Sequence, residues 1–309
     1  AGRAGAAERT YAALVARAPD QPEGHWALAQ AALARGDDVA AEPALRRVRA
    51  LAPDQLEPRR ALATLLARRG DVAGAIVEAR ATFDRSGADL AVGEDLIWLL
   101  LEAGDRRGAL DVLGLYDDTA SADDLVRVAA MLAALGDGDR ALAAAALARG
   151  RGGDVAVIEA RVHLHRGDRA RAIAAADAVP ITAPAWPAAQ AIAAWAELAD
   201  GARAAEAVAT RLAQARARAP ADVDLLEVEA ERRRRIGDLA GARALFAEAA
   251  RARPHHAALV VAWASLERRA GAGARALRLA EQVLAATPDD PGVQNLVGFL
   301  LVDDRRDLG

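Results

Sequence analysis

The chain has 309 residues, 53% of them hydrophobic but only 3% aromatic, and its 40 basic and 44 acidic side chains leave a net charge of −4. This near balance argues against nucleic acid as the main ligand, which calls for a basic surface, and the absence of cysteine excludes a disulfide framework, thiol catalysis and cysteine-ligated zinc. No uncharged apolar run reaches the ~18 residues needed for a membrane span.

Alanine and leucine carry the apolar fraction, and these residues favour helices over strands. Every basic residue is arginine, which together with the alanine excess reads as the mark of a high-GC bacterial genome. No signal peptide is visible, and a cytoplasmic and a periplasmic location both stay open.

In chain order, the first feature is a glycine–alanine–aromatic–proline skeleton. Gly2, Ala7, Tyr11 and Pro19 have the spacing of Gly237, Ala242, Phe246 and Pro254. The glycines recur at Gly36, Gly70 and Gly104, each 34 residues after the last. A fixed period of this size is the signature of a solenoid. Each unit reads as two helices. In the first full unit, Trp26, Leu28, Ala29, Ala32 and Leu33 recur at helical spacing and Gly36 ends the helix. Asp37 or Asp38 then caps a second helix that runs to Leu51, before Pro53. The short turn makes the two helices antiparallel.

The middle of the chain is less regular. Gly136 and Gly167 follow at spacings of 32 and 31, and their second helices look short, ending near Gly150 and Val179. Val179–Pro187 holds Pro180, Pro184 and Pro187. Proline breaks helices, so this stretch is expected to be a connector between sub-arrays at about 1–179 and 185–309. Gly201 marks the next turn, followed by a long helix to Ala219 in which Glu206 stands where alanine is expected. Regular spacing returns at Gly237 and Gly271, and one more step reaches Arg305. Both ends of the chain fall at the same point of the repeat, with no polar capping helix. The expectation is one continuous array, 1–309, cut from a longer protein.

Nothing in the sequence supports catalysis. The histidines His25, His163, His165, His255 and His256 lack the i,i+4 spacing of a helical metal pair, so neither a metal nor a cofactor is expected. Without lysine there is no phosphate-binding P-loop, and the glycine-rich stretch at 149–153 reads as a turn. Ser86, Ser121 and Ser265 lie outside any nucleophile elbow. Arg232–Arg235 follows Glu227, Glu229 and Glu231 at spacings that suit self-pairing on one helix. The alternative is that Arg234 and Arg235 grip a partner's carboxylates.

The 34-residue helix–turn–helix resembles the tetratricopeptide repeat, whose pattern runs W-x2-L-G-x2-Y, then A, F and P. Its small-alanine position is matched by Ala7, Ala41, Ala75, Ala109, Ala141, Ala172, Ala242 and Ala276, and its closing proline by Pro19, Pro53, Pro254 and Pro288. Leu28, Leu62 and Leu96 fit the first helix, and Gly298 is the one glycine in its slot. The resemblance implies an all-α right-handed superhelical solenoid of antiparallel helix pairs, about eight full units flanked by half-units.

It also implies that first-helix positions line a concave groove. Transferred residue by residue, that register gives Trp26, Arg60, Trp98, Arg161, Trp195 and Phe299 as the candidate peptide- or protein-binding residues. Glu23, Gln30, Leu33, Thr64, Glu94, Leu101, Val157, Leu164, Leu198 and Asn295 accompany them, and Trp263 falls at a core position. The implied function is a non-enzymatic protein–protein interaction scaffold. Two alternatives stay open: a regulatory or substrate-presenting arm of a larger enzyme, and a bacterial envelope assembly lipoprotein.

Overall fold

The structure is a computed structural model describing residues 2–116, 120–199, 202–254, 256–288 and 290–306; the side chains of 2–8, 202–203 and 303–306 are not described. Regular secondary structure within those residues is entirely α-helical, and the chain forms two compact units, Ala1–Gly136 and Asp137–Gly309.

The first unit opens with α1 (Gly2–Arg17). The pairs α2 (Pro22–Ala34) and α3 (Asp38–Leu51), α4 (Leu56–Arg68) and α5 (Val72–Arg85), and α6 (Leu90–Glu102) and α7 (Arg106–Leu113) follow, then α8 (Ala122–Ala134). In the second unit, α9 (Gly138–Gly150) precedes α10 (Ala156–His165) and α11 (Arg169–Asp177). Next come α12 (Trp186–Leu198) and a second helix in two pieces, α13 (Ala202–Ala207) and α14 (Ala209–Arg218). The pairs α15 (Val223–Arg235) and α16 (Leu239–Ala252), α17 (Ala257–Arg269) and α18 (Gly273–Ala286), and finally α19 (Pro291–Arg306) complete it. Within each unit helices pack mainly on their sequence neighbours, as in a solenoid.

A two-residue Gly-Asp turn builds most of the pairs. Gly36 and Gly70 have φ of 72° and 81°, a left-handed conformation that a Cβ would strain. The aspartate that follows serves both helices. The Asp71 backbone N–H donates to the Leu66 carbonyl and closes the end of α4, while its carboxylate accepts from the Gly74 N–H at 2.9 Å and caps α5. Asp37, Asp105, Asp168 and Asp238 repeat this double contact. Of the two candidate caps in the first full unit, Asp37 is the one used. Ala272 replaces the aspartate before α18, which has no side-chain cap.

Close approach of paired helices rests on the predicted alanines. Ala41, Ala75, Ala109, Ala141, Ala172, Ala242 and Ala276 have no accessible surface. A larger side chain at such a contact overpacks it at a cost of about 1–3 kcal/mol. The Ala7 side chain and Gly201 lie outside the described residues. After that turn the packing register shifts by one: Ala205 is buried and Glu206 exposed. The expected long helix is divided at Val208, although i→i−4 bonds continue from Val208 to Ala204 and from Leu212 to Val208.

The proline segment lies within the second unit. Val179 and Trp186 are buried in the core that α10, α12, α14 and α15 share. Pro187 sits in the first turn of α12, where its missing N–H costs nothing. Arg218 donates to the Ile181 carbonyl, and its guanidinium lies 5.5 Å from the Trp186 ring centroid. These contacts fold the prolines into a tight corner. At the last repeat step α19 continues through Arg305 without a turn. Arginine, unlike glycine, is a good helix former. Asp307 lies outside the described residues.

Candidate functional site

In the first unit, α4 and α6 stand side by side above α5 and enclose a cleft of about 350 Å³. The two faces of α6 explain its shape. Leu96, Ile97, Leu99 and Leu100 are buried, whereas Trp98 is 73% exposed on the opposite side. Ala63, Ala67, Ala79, Val92 and Leu99 make the apolar walls, with Trp98 at the lip. Arg60 donates to Asp95 from both Nε, at 3.0 Å, and Nη2, at 2.7 Å, across the rim. Both partners are exposed, so the pair adds at most about 1 kcal/mol and is readily exchanged for another. Glu94, also on the rim, accepts from Arg127 of α8. An apolar slot with an opposed cation and anion at its mouth suits an apolar side chain flanked by polar ones.

The second unit holds a cleft of about 410 Å³ in the equivalent place, between the first helices of its pairs. Arg161, Leu164 and His165 come from α10, Ala191, Ile192 and Trp195 from α12, and Asp224 and Glu227 from α15. Arg253, just past α16, and His256, at the start of α17, close it. Arg253 donates to Asp224 at 2.6 Å, and the Glu227 carboxylate lies 3.2 Å from His256 Nδ1. Burial, partly offset by the neighbouring His256, holds Glu227 above the ordinary carboxylate range. Arg161 is exposed and has no hydrogen-bond or ion-pair partner among the described residues.

Four of the six predicted residues thus pair off, Arg60 with Trp98 and Arg161 with Trp195. The other two line neither cleft. Trp26 is half-buried on α2, and Phe299 of α19, 51% exposed, has the Arg268 guanidinium 4.8 Å from its ring centroid. Trp195 is half-buried against the core of its unit, unlike Trp98 at the equivalent repeat position. Trp263 is a core residue, as expected, and its indole N–H donates to buried Glu267 at 2.9 Å.

The arginine run on α15 is consumed internally. Arg232 and Arg233 bind Glu229, and Arg234 and Arg235 bind Glu231. Burial opposes ionisation of Glu229 and Glu231, but the arginine hydrogen bonds outweigh it and hold both below the ordinary range. Asp95, Asp224 and the Glu227–His256 pair are site features the sequence reading missed. Their signal is a charge of opposite sign about one repeat away: Asp95 lies 35 residues after Arg60, and His256 29 after Glu227.

Among the described residues no helix is long and apolar enough to cross a membrane, and no cluster of three His, Asp or Glu side chains is arranged for a metal ion. His255 lies outside them.

The tetratricopeptide-repeat family model matches residues 237–298, a stretch that includes the 34-residue step from Gly237 to Gly271. The fold is similar to that of a tetratricopeptide-repeat protein from Parabacteroides merdae, at 14% identity and a TM-score of 0.57, covering 95% of this chain and 99% of that one. A thermophilic protein of the same kind from Thermus thermophilus aligns at 20% identity and 0.54, covering 59% and 100%. The Cut9–Hcn1 hetero-tetramer of the APC/C aligns at 12% and 0.55, and there the match covers 92% of this chain but 56% of the other. No curated protein sequence matches the chain.

Proposed function

We propose that the chain, whose residues 237–298 match the tetratricopeptide-repeat family model, is an interaction scaffold that holds an extended segment of a partner protein against its first helices. The observation that carries this reading is Trp98, a large ring left in solvent at the lip of an apolar cleft. Fully burying a large apolar side chain contributes about 1.5–3 kcal/mol, which a partner gains and the free protein forgoes. Exposed tryptophans of this kind dominate protein interfaces.

Arg60 and Asp95 orient the partner by exchanging their mutual bond for bonds to it. Arg161 and Trp195 play the corresponding roles in the second unit. A similar fold in the APC/C is known as part of a Cut9–Hcn1 hetero-tetramer, which fits a role in assembly. The test is to capture partners from the source cell, identify one, and measure its affinity for the purified chain and for Trp98→Ala. The expected loss is tenfold or more, with the variant still folded. Equal affinity removes the first cleft from the interface.

A further inference from the structure

A third cleft, of about 430 Å³, opens between the second helices α16 and α18, against α17, and shares no residue with the two first-helix clefts. Ala247, Ala250, Val260, Trp263, Leu279 and Val283 give it apolar walls. The charged residues that line it are Arg251 and Arg275, with no carboxylate among the lining to offset them. Glu248 of α16 and Glu281 of α18 are exposed but do not line it. Arg251 is exposed and has no hydrogen-bond or ion-pair partner among the described residues. The Arg275 guanidinium lies 5.4 Å from the Trp263 ring centroid, and its ion-pair contact with Glu267 is loose, at 3.8 Å. Buried Glu267 is already held by Arg243 and by the Trp263 indole N–H, so its charge is met within the fold and both cleft arginines stay available.

We propose that this cleft is a second docking site, on the second helices, for an extended acidic segment of a partner protein that presents an apolar side chain to the walls and carboxylates to the rim. Charge complementarity commits the occupant. Two cations without a facing carboxylate repel a basic segment, and each offers an acid a forked, two-bond partner. Stacking on Trp263 already holds the Arg275 guanidinium beside the apolar wall, so less freedom is lost when it binds. The cleft is an open trough rather than an enclosed cavity, so it would leave much of a small ligand in water, whereas a peptide chain spans it and covers its rim. The inference does not rest on the first-helix reading, since the two surfaces have no residue in common.

The probe is a capped peptide, Gly-Glu-Leu-Glu-Leu-Glu-Gly, compared with its glutamine counterpart by calorimetry on the whole chain at neutral pH in physiological salt. Two exposed ion pairs predict a preference of about two- to thirtyfold for the acidic probe. Arg251→Gln, which removes no contact within the fold, should reduce that preference, and Arg251→Gln/Arg275→Gln should abolish it. Trp98→Ala should change neither probe. Equal binding of the two probes by wild type overturns the inference, as does a preference that survives in a double variant shown by circular dichroism to be folded. A preference lost in Trp98→Ala but kept in the arginine variants also overturns it, and assigns the probe to the first-helix cleft. Binding of 4-methylpentanoate as tight as that of the peptide replaces the protein segment by a free carboxylate. Absence of binding by either probe overturns this inference alone, because the first-helix reading is tested separately with an identified partner and Trp98→Ala.

Discussion

Gly93 and Gly298 allow one substitution, glycine to alanine within a helix, to be predicted with opposite signs. Gly93 lies in α6 under the Tyr116 ring, and a Cβ there would overlap the Tyr116 hydroxyl and stand 3.1 Å from Phe83 Cε2. Tyr116 is not free to retreat. It is buried, packs edge-on against Phe83 with centroids 6.4 Å apart, and donates its hydroxyl to the Asp89 carbonyl at 3.2 Å. Burial and the nearby Asp89 push its phenol up to about 12, so it remains a donor at any ordinary pH.

Overpacking of this kind costs about 1–3 kcal/mol, against which alanine's helix preference over glycine returns about 1 kcal/mol. Gly93→Ala should therefore destabilise the protein by up to about 2 kcal/mol. Gly298, in α19 with nothing within 4 Å of its would-be Cβ, should be stabilised by the same change by about 0.5–1 kcal/mol. In a Tyr116→Phe background the hydroxyl is gone, the ring carbon that bore it is 3.3 Å away and Phe83 Cε2 stays at 3.1 Å, and most of the Gly93→Ala penalty should vanish. Urea unfolding followed by circular dichroism gives the stabilities, and hydrogen exchange in α6 localises the effect. An unchanged penalty in the Tyr116→Phe background, or a stabilising Gly93→Ala, would refute the packing described.

Two other expectations concern the turns and the buried acids. Asp71→Ala removes the α5 cap and should cost about 1 kcal/mol in thermal or urea unfolding, while Asp71→Asn, which keeps an acceptor for the Gly74 N–H, should be close to neutral. Burial disfavours the charged forms of Glu229, Glu231 and Glu267, but hydrogen bonds from Arg232–Arg235, Arg243 and Trp263 outweigh it and hold all three below the ordinary carboxylate range. A carboxylate with a depressed folded-state pKa stabilises the fold above its unfolded value, and that contribution is lost as pH falls below it. The melting temperature should accordingly hold near neutrality and fall as the pH drops below about 4.5. The Glu267→Gln variant should show a shallower fall over the same range.

The repeat made much of the fold legible. A left-handed glycine and a buried alanine recur in most of the described pairs, so Gly36, Gly70 and Ala41 announce themselves by recurring. Contacts that occur once have no such signal. Gly93 meets Tyr116 across 23 residues, and Gly93 stands where the repeat pattern has tryptophan, so the contact does not recur. Register slips are equally silent, since alanine is so common that Ala205 and Ala207 are as plausible as the expected position 206.

For the site, the family register named Arg60, Trp98, Arg161 and Trp195 only as groove residues; the structure sets the first two around one cleft and the last two around another. It does not distinguish Trp98 from Trp195. Their exposure depends on what the neighbouring helices supply, and Trp195 packs against the buried core of its unit. The clustered arginines misdirect for the opposite reason: four adjacent charges look available, yet glutamates one turn earlier consume them all.

The central claim is that partners bind the exposed side of the first helices. Its most direct test is the affinity of one identified partner for wild type, for Trp98→Ala and for a control on second helices, Val39→Ala/Val77→Ala, both valines being exposed on α3 and α5. The account predicts a loss of at least about tenfold for Trp98→Ala, equivalent to ~1.4 kcal/mol, and unchanged affinity for the control. Full affinity in Trp98→Ala together with a loss in the valine control would contradict it and move the interface to the second helices.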